Sequence, residues 1–251
     1  MSDEHAIAVF VDFDNVAIGA REAGGTFEVR RLMERIVEEG RVVLRRAYAD
    51  WTGHGAMKKA LHEAGFELID IPARSWSGKN AADIKLVVDA LDLCHQDPNI
   101  DTFVLVTGDS DFTPLVSRLR QHHRTVMGIG VEHTSSSLLI DACDQFVFYD
   151  ELLRRSAPKA PGKEANTDGV LDWVVDTIEA LERDRDGALW SSMVKQTLKR
   201  KRPGFSERRH GFRSFNSVVE EAERRGLIDI EKDDNSGGYR ITGVHREAAS
   251  A

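Results

Sequence analysis

Phe103-Val104-Leu105-Val106-Thr107-Gly108-Asp109-Ser110-Asp111-Phe112 decides how this chain is read. Its apolar residues are consecutive and too few for a helix, the pattern of a strand covered on both faces. Two aspartates follow the strand at once. A companion run, Ile7-Ala8-Val9-Phe10-Val11-Asp12-Phe13-Asp14-Asn15, repeats the design near the N-terminus. Carboxylates gathered at one end of a parallel sheet repel one another, and a hard divalent cation with oxygen ligands relieves that repulsion. The pair of runs therefore points to a metal-dependent site that handles phosphate.

Outward from these runs, strand-like and helix-like segments alternate from Ile7 to about Tyr149. Strands are predicted over 7–12, 42–48, 66–71, 103–107, 125–130 and 146–149. Helices are predicted over 28–39, 55–64, 81–95, 113–122 and 135–143. Such alternation predicts an α/β fold, a parallel sheet with helices on both faces. In the third helix, Ile84, Val87, Val88 and Leu91 follow i, i+3, i+4, i+7 spacing and predict one buried stripe. Asp89 and Asp92 are then expected to face solvent.

Ligands in open parallel sheets bind beyond the carboxyl ends of the strands, where strand order reverses. If the first and fourth strands are neighbours, Asp12 and Asp109 face each other there. Asp111 and Asp83, the latter in the first turn of its helix, are candidates to join them. Each has a plainer reading. Asp14 suits a turn or cap, Asp111 an N-cap before Pro114, Asp83 a helix-dipole acid, and Asn15 an Asx-turn. Arg74, Lys79 and Lys85 lie where they could hold phosphates. Trp51 and Trp76, in loops on the crevice side, suit either base stacking or packing against a helix end.

The ordered set Val11-Asp12-Phe13-Asp14-Asn15-Val16, Lys79 to Asp83, and Thr107 to Phe112 resembles the NYN domain of the PIN-like nucleases, over roughly residues 6–150. The resemblance implies a Mg²⁺- or Mn²⁺-dependent ribonuclease with a PIN-like parallel-sheet sandwich. It implies Asp12, Asp83, Asp109 and Asp111 as metal-site carboxylates, with Asn15 as a supporting polar residue of the catalytic set. A haloacid-dehalogenase-type phosphatase is a rival, since Asp12-Phe13-Asp14-Asn15-Val16 is similar to its opening motif. Its later threonine and Gly-Asp elements, however, are normally separate, and here they are fused. A non-catalytic RNA-binding adaptor is the other rival.

Residues 155–166 lack apolar periodicity and carry Pro158, Pro161 and Gly162, the composition of a linker. Beyond it, helices are predicted from Thr167 or Asp168, over 189–201 and over 214–225, then a hairpin across Asp234 to Gly238. That order predicts a small C-terminal winged helix. Lys199, Arg200, Lys201, Arg202, Arg208, Arg209 and Arg213 concentrate positive charge in a chain of net charge −8, a local attraction for phosphates. Pro203 to Arg208 and Gly211-Phe212-Arg213-Ser214-Phe215, with Arg225-Gly226-Leu227-Ile228, are similar to the LOTUS or OST-HTH domain. That resemblance implies binding of RNA, single-stranded or structured and G-rich RNA included, or of a protein partner. The expected layout is a nuclease domain at 1–154, a linker at 155–166, a winged helix at 167–243 and a disordered tail at 244–251. A homodimer stays open.

The 251 residues, 41% of them hydrophobic and 30% charged, are enough for real cores under an ordinary charged surface. Cys94 and Cys143 make neither a disulfide framework nor a zinc site and fit a reducing, cytoplasmic setting. No apolar run approaches the roughly 20 residues of a membrane span, and the acidic start does not read as a signal peptide.

Overall fold

The structure, a computed structural model, describes residues 5–72, 80–154, 167–183, 188–233 and 237–245. The chain divides into two compact units, 1–158 and 159–251. Among the described residues no helix is long and apolar enough to cross a membrane.

The first unit carries a six-stranded parallel sheet. Its strands are β1 (Ala6–Asp12), β2 (Arg41–Ala49), β3 (Glu67–Asp70), β4 (Thr102–Val106), β5 (Thr125–Gly130) and β6 (Gln145–Phe148), in spatial order β3-β2-β1-β4-β5-β6. β1 and β4 are buried along their whole length, as their unbroken apolar runs require. They are neighbours, with Val11 opposite Val106, so the strand order reverses between them. One face is covered by α1 (Phe13–Glu22), α2 (Val29–Val37), α3 (Gly55–Glu63) and α7 (Tyr149–Arg154). The other face is covered by α4 (Ala81–Gln96), α5 (Thr113–Gln121) and α6 (Ser137–Ala142). This mixed α/β layering is a PIN-like architecture.

Two expectations need correction, and one choice between readings is decided. Helix α1 was not predicted: Phe13-Asp14-Asn15 resembles a turn, yet the chain enters a helix directly from β1, with Asp12 as its N-cap. The stripe predicted on α4 is half-buried only at Val87 and Leu91, which pack against the core. Ile84 is 63% exposed and Val88 46% exposed, whereas Leu86, Asp89, Ala90 and Cys94 are buried. Of the two readings open for Trp51, packing is the one found: it is buried against Phe13, and its indole N–H donates to the Ile69 carbonyl.

The second unit begins with α8 (Thr167–Arg183) and β7 (Leu189–Trp190). It continues with α9 (Ser191–Lys201), α10 (Phe215–Arg224), β8 (Ile228–Lys232) and β9 (Tyr239–Val244). Leu189 and Trp190 were predicted to open a helix; instead they pair antiparallel with Ile241 and Arg240. β7, β9 and β8 form a three-stranded antiparallel sheet in that order. Ser214 and Ser217 cap α10 reciprocally, and Gly226 ends it with φ +70°. Phe205 and Phe215 are core residues, with Val170, Val174, Val194, Val218 and Ile241. The expected linker, the hairpin tip at 234–236 and the tail from 246 lie outside the described residues.

Candidate active site

The site is built where β1 and β4 end side by side. Asp12 is extended (φ −80°, ψ 91°), so its carboxylate can receive the Asn15 N–H at 3.4 Å and cap α1. The Thr107 hydroxyl donates to Asp12 Oδ2 at 2.9 Å and accepts the Asp109 N–H at 3.2 Å. The Asn15 side-chain oxygen accepts the Gly108 N–H at 2.9 Å. Asn15 therefore clamps β4 to α1 rather than closing an Asx-turn. Two side chains thus cross-link the strand ends before any ligand arrives. Thr107 is 1% exposed; a hydroxyl at the end of an apolar run is the one sign of its role in the sequence.

After Thr107 the chain turns sharply. A Cβ on Gly108 would lie 2.8 Å from the Thr134 carbonyl oxygen and 2.9 Å from Ser135 Cα. Only glycine lets the loop after β5 approach so closely. Asp109 then caps a short 3₁₀ turn (Ser110–Phe112) by accepting the Asp111 N–H at 2.9 Å. The capping role considered for Asp111 falls to Asp109, and Asp111 is left exposed. Asp83 lies in the first turn of α4, half-buried.

The electrostatics join these residues. Burial pushes the Asp12 carboxyl up to about 7 against the Thr107 hydrogen bond, and the Asp83 charge adds to the rise. Burial also raises Asp83, followed by the charges of Asp109, Asp111 and Asp14. Asp14 is raised by burial, partly offset by His54, whose Nε2 lies 3.7 Å from its carboxylate. The charges of Asp12, Asp14, Asp83, Asp109 and Asp111 thus act on one another at the crevice expected beyond the strand ends.

Its donor set is entirely hard oxygen, which suits a divalent cation. Among the described residues no three His, Cys, Asp or Glu side chains are gathered closely enough to hold one ion. Mg²⁺ ordinarily keeps several waters and takes one or two carboxylates, so the residues present fit such an ion.

The basic residues divide. Arg74 and Lys79, with Trp76, lie outside the described residues. Lys85 turns away from the crevice and bonds Asp89 at 2.6 Å. In the second unit Lys199, Arg200 and Lys201 form the last turn of α9. Arg202 stacks over the Trp173 ring at 3.9 Å, and Arg208 and Arg209 occupy a short 3₁₀ turn. Arg200, Lys201, Arg202, Arg208 and Arg213 are exposed. His210 is not a free surface group; its ring sits against Trp173 and Phe205.

Residues 6–152 match the NYN domain family. The chain belongs to that family. Membership places the domain among the PIN-like nucleases and points to nuclease-like chemistry on RNA. An uncharacterized protein of Methanocaldococcus jannaschii is 28% identical over 163 residues, covering 65% of this chain and 63% of that protein. The chain therefore spans about 63% of that relative's length. A protein of unknown function from Vibrio parahaemolyticus RIMD 2210633, known from its crystal structure, superposes with a TM-score of 0.55 at 31% identity. The match covers 61% of this chain and 97% of that one.

Proposed function

We propose that the N-terminal domain is a divalent-metal-dependent ribonuclease that hydrolyses RNA phosphodiester bonds. The observation that carries this reading is that Asp12 and Asp109 stand beside each other at the ends of β1 and β4, the switch point, where the charges of Asp83 and Asp111 are also felt. Burial and mutual charge raise Asp12 and Asp83 there. Asp12, Asp83, Asp109 and Asp111 would hold Mg²⁺ or Mn²⁺ between them, one or two in contact and the others through the ion's waters. The ion would neutralise the scissile phosphate and lower the pKa of its water. Thr107 and Asn15 keep the carboxylates in place, and the acidity of the crevice repels RNA until a cation is present.

The second unit is read as a winged helix of the LOTUS type that recruits RNA. Its order of helix, strand, two helices and two strands supports this. So does the exposed Arg200, Lys201, Arg208 and Arg213 set. Both units would then act on one RNA, the second raising the effective concentration at the first.

The spacing of the carboxylates favours a second reading, an RNA-binding adaptor that does not cut, because among the described residues no three of them converge on one point. Cleavage of end-labelled single-stranded and hairpin RNA separates the two. The nuclease cuts with Mn²⁺ or Mg²⁺, stops with EDTA, and Asp109→Asn abolishes cutting while RNA binding persists. Binding without cutting under every metal condition would establish the adaptor.

A further inference from the structure

Helix α4 has apolar residues around its circumference, and it buries Leu86, Ala90 and Cys94 together with one acid, Asp89. With about 100° per residue, Ile84, Val87, Val88 and Leu91 form another apolar stripe. The helix shows Ile84 and Val88 to solvent and turns Asp89, 8% exposed, toward the sheet.

Leu86, Ala90 and Cys94 supply the apolar part of that face, and polar partners fix Asp89 on it. The Tyr48 hydroxyl donates to Asp89 Oδ2 at 2.9 Å, and Lys85 Nζ donates to Oδ1 at 2.6 Å. Arg46 Nη1 lies 3.9 Å from Oδ2, and the same guanidinium is bound to Glu67 at 2.7 Å. Tyr48 is fixed in turn. It lies on β2 directly opposite Asp12 of β1, its ring is fully buried, and it stacks near Phe10. Burial and the bond to Asp89 keep its hydroxyl protonated far above the usual range, so it remains a donor.

The consequence is felt six residues earlier, about 9 Å along the helix. Asp83, in the first turn of α4, feels the charges of Asp109 and Asp111. A turn of α4 that buried Ile84 and Val88 would swing Asp83 away from Asp109 and Asp111. We propose that Asp89, held by Tyr48 and Lys85, is a positioning residue that sets the rotation of α4 and so places Asp83 in the acidic crevice. This rests on the reading of the crevice as a cation site. It adds a residue that never touches cation or RNA.

The test uses the full chain with Asp89→Asn and, as a milder change that keeps the ring, Tyr48→Phe, each checked for folding by circular dichroism. Two readouts are needed. In the metal-free protein, the Asp83 side-chain carboxyl ¹³C resonance reports its surroundings directly. Both variants are expected to shift it. With Mn²⁺ as probe, each variant is expected to weaken binding by roughly tenfold, the scale of losing a group that orients a ligand. In an Asp83→Asn background the same changes should cost nothing further, because Asp89 acts through Asp83. An unmoved Asp83 resonance would overturn the proposal. So would independent, multiplying losses of Mn²⁺ affinity. A wild type that binds no Mn²⁺ would sink the cation reading instead, and the metal-free resonance would still decide the role of Asp89.

Discussion

The hydroxyl of Thr107 bonds the carboxylate of Asp12 at 2.9 Å across the boundary between β4 and β1. One small side chain at the end of a buried strand thereby holds the most deeply buried acid of the crevice. It also accepts the N–H of Asp109, so the two acids are held through a single oxygen.

Thr107→Val keeps the shape and removes that oxygen. It leaves a buried acceptor and a backbone N–H without their partner, at a cost of about 1–3 kcal/mol. Urea denaturation should show that loss, and cleavage should fall with it. Thr107→Ser, which restores the hydroxyl, should recover most of both.

The raised Asp12 makes stability depend on pH in a stated direction. Its folded pKa of about 7 lies above the ordinary value of 3.8, so between these values the folded state binds the proton that the unfolded state has lost. Stability is therefore highest below about pH 4 as far as this group is concerned, and it declines as pH rises through 7. At about 1.4 kcal/mol per pH unit the decline across the window is roughly 4 kcal/mol at most. Metal-free denaturation curves from pH 4 to 8 should show it. Asp12→Asn should flatten the profile, and Mn²⁺ should restore stability at pH 8 in the wild type only.

Gly108→Ala should destabilise the site end of the domain. Its Cβ would meet backbone atoms of Thr134 and Ser135 at under 3 Å, and backbone cannot swing aside as a side chain can. A lowered melting temperature, with a larger fractional loss of cleavage than of RNA binding, is the expected outcome.

In the second unit, Arg208→Ala and Arg213→Ala should weaken RNA binding evenly across RNA sequences while leaving the fold intact, since both side chains are exposed. The salt dependence of binding should shrink by about 0.7 in log–log slope for each single-strand phosphate no longer neutralised. Lys195→Ala is the contrasting variant, because Lys195 is bound to Glu207 at 2.8 Å. It should change affinity less.

The sheet and its switch point were legible because β1 and β4 are unbroken apolar runs that end in acids. Of the helices facing that sheet, α2 to α6 were legible in place, α1 and α7 were not, and the rotation of α4 was legible only in part. Apolar residues encircle α4, so spacing alone could not say which stripe is buried. The deciding groups, Tyr48 and Arg46, lie about 40 residues away on β2. Helix α1 escaped notice because Asp14 and Asn15 favour turns in isolation, and only the cap at Asp12 and the clamp from Asn15 to Gly108 make them helical. β7 is two residues long, too short for any periodicity to reveal. It exists because β9 supplies its partner.

Four aspartates from three elements are proposed to share one cation, one or two of them in contact and the rest through its waters. Mn²⁺ binding, followed by electron paramagnetic resonance at pH 7.5, tests it most directly across the wild type, Asp12→Asn, Asp83→Asn, Asp109→Asn and Asp111→Asn. The wild type is expected to bind and each substitution to weaken the same site, with Asp12→Asn and Asp109→Asn the most severe. Equal binding by all five proteins, or none by the wild type, would contradict it.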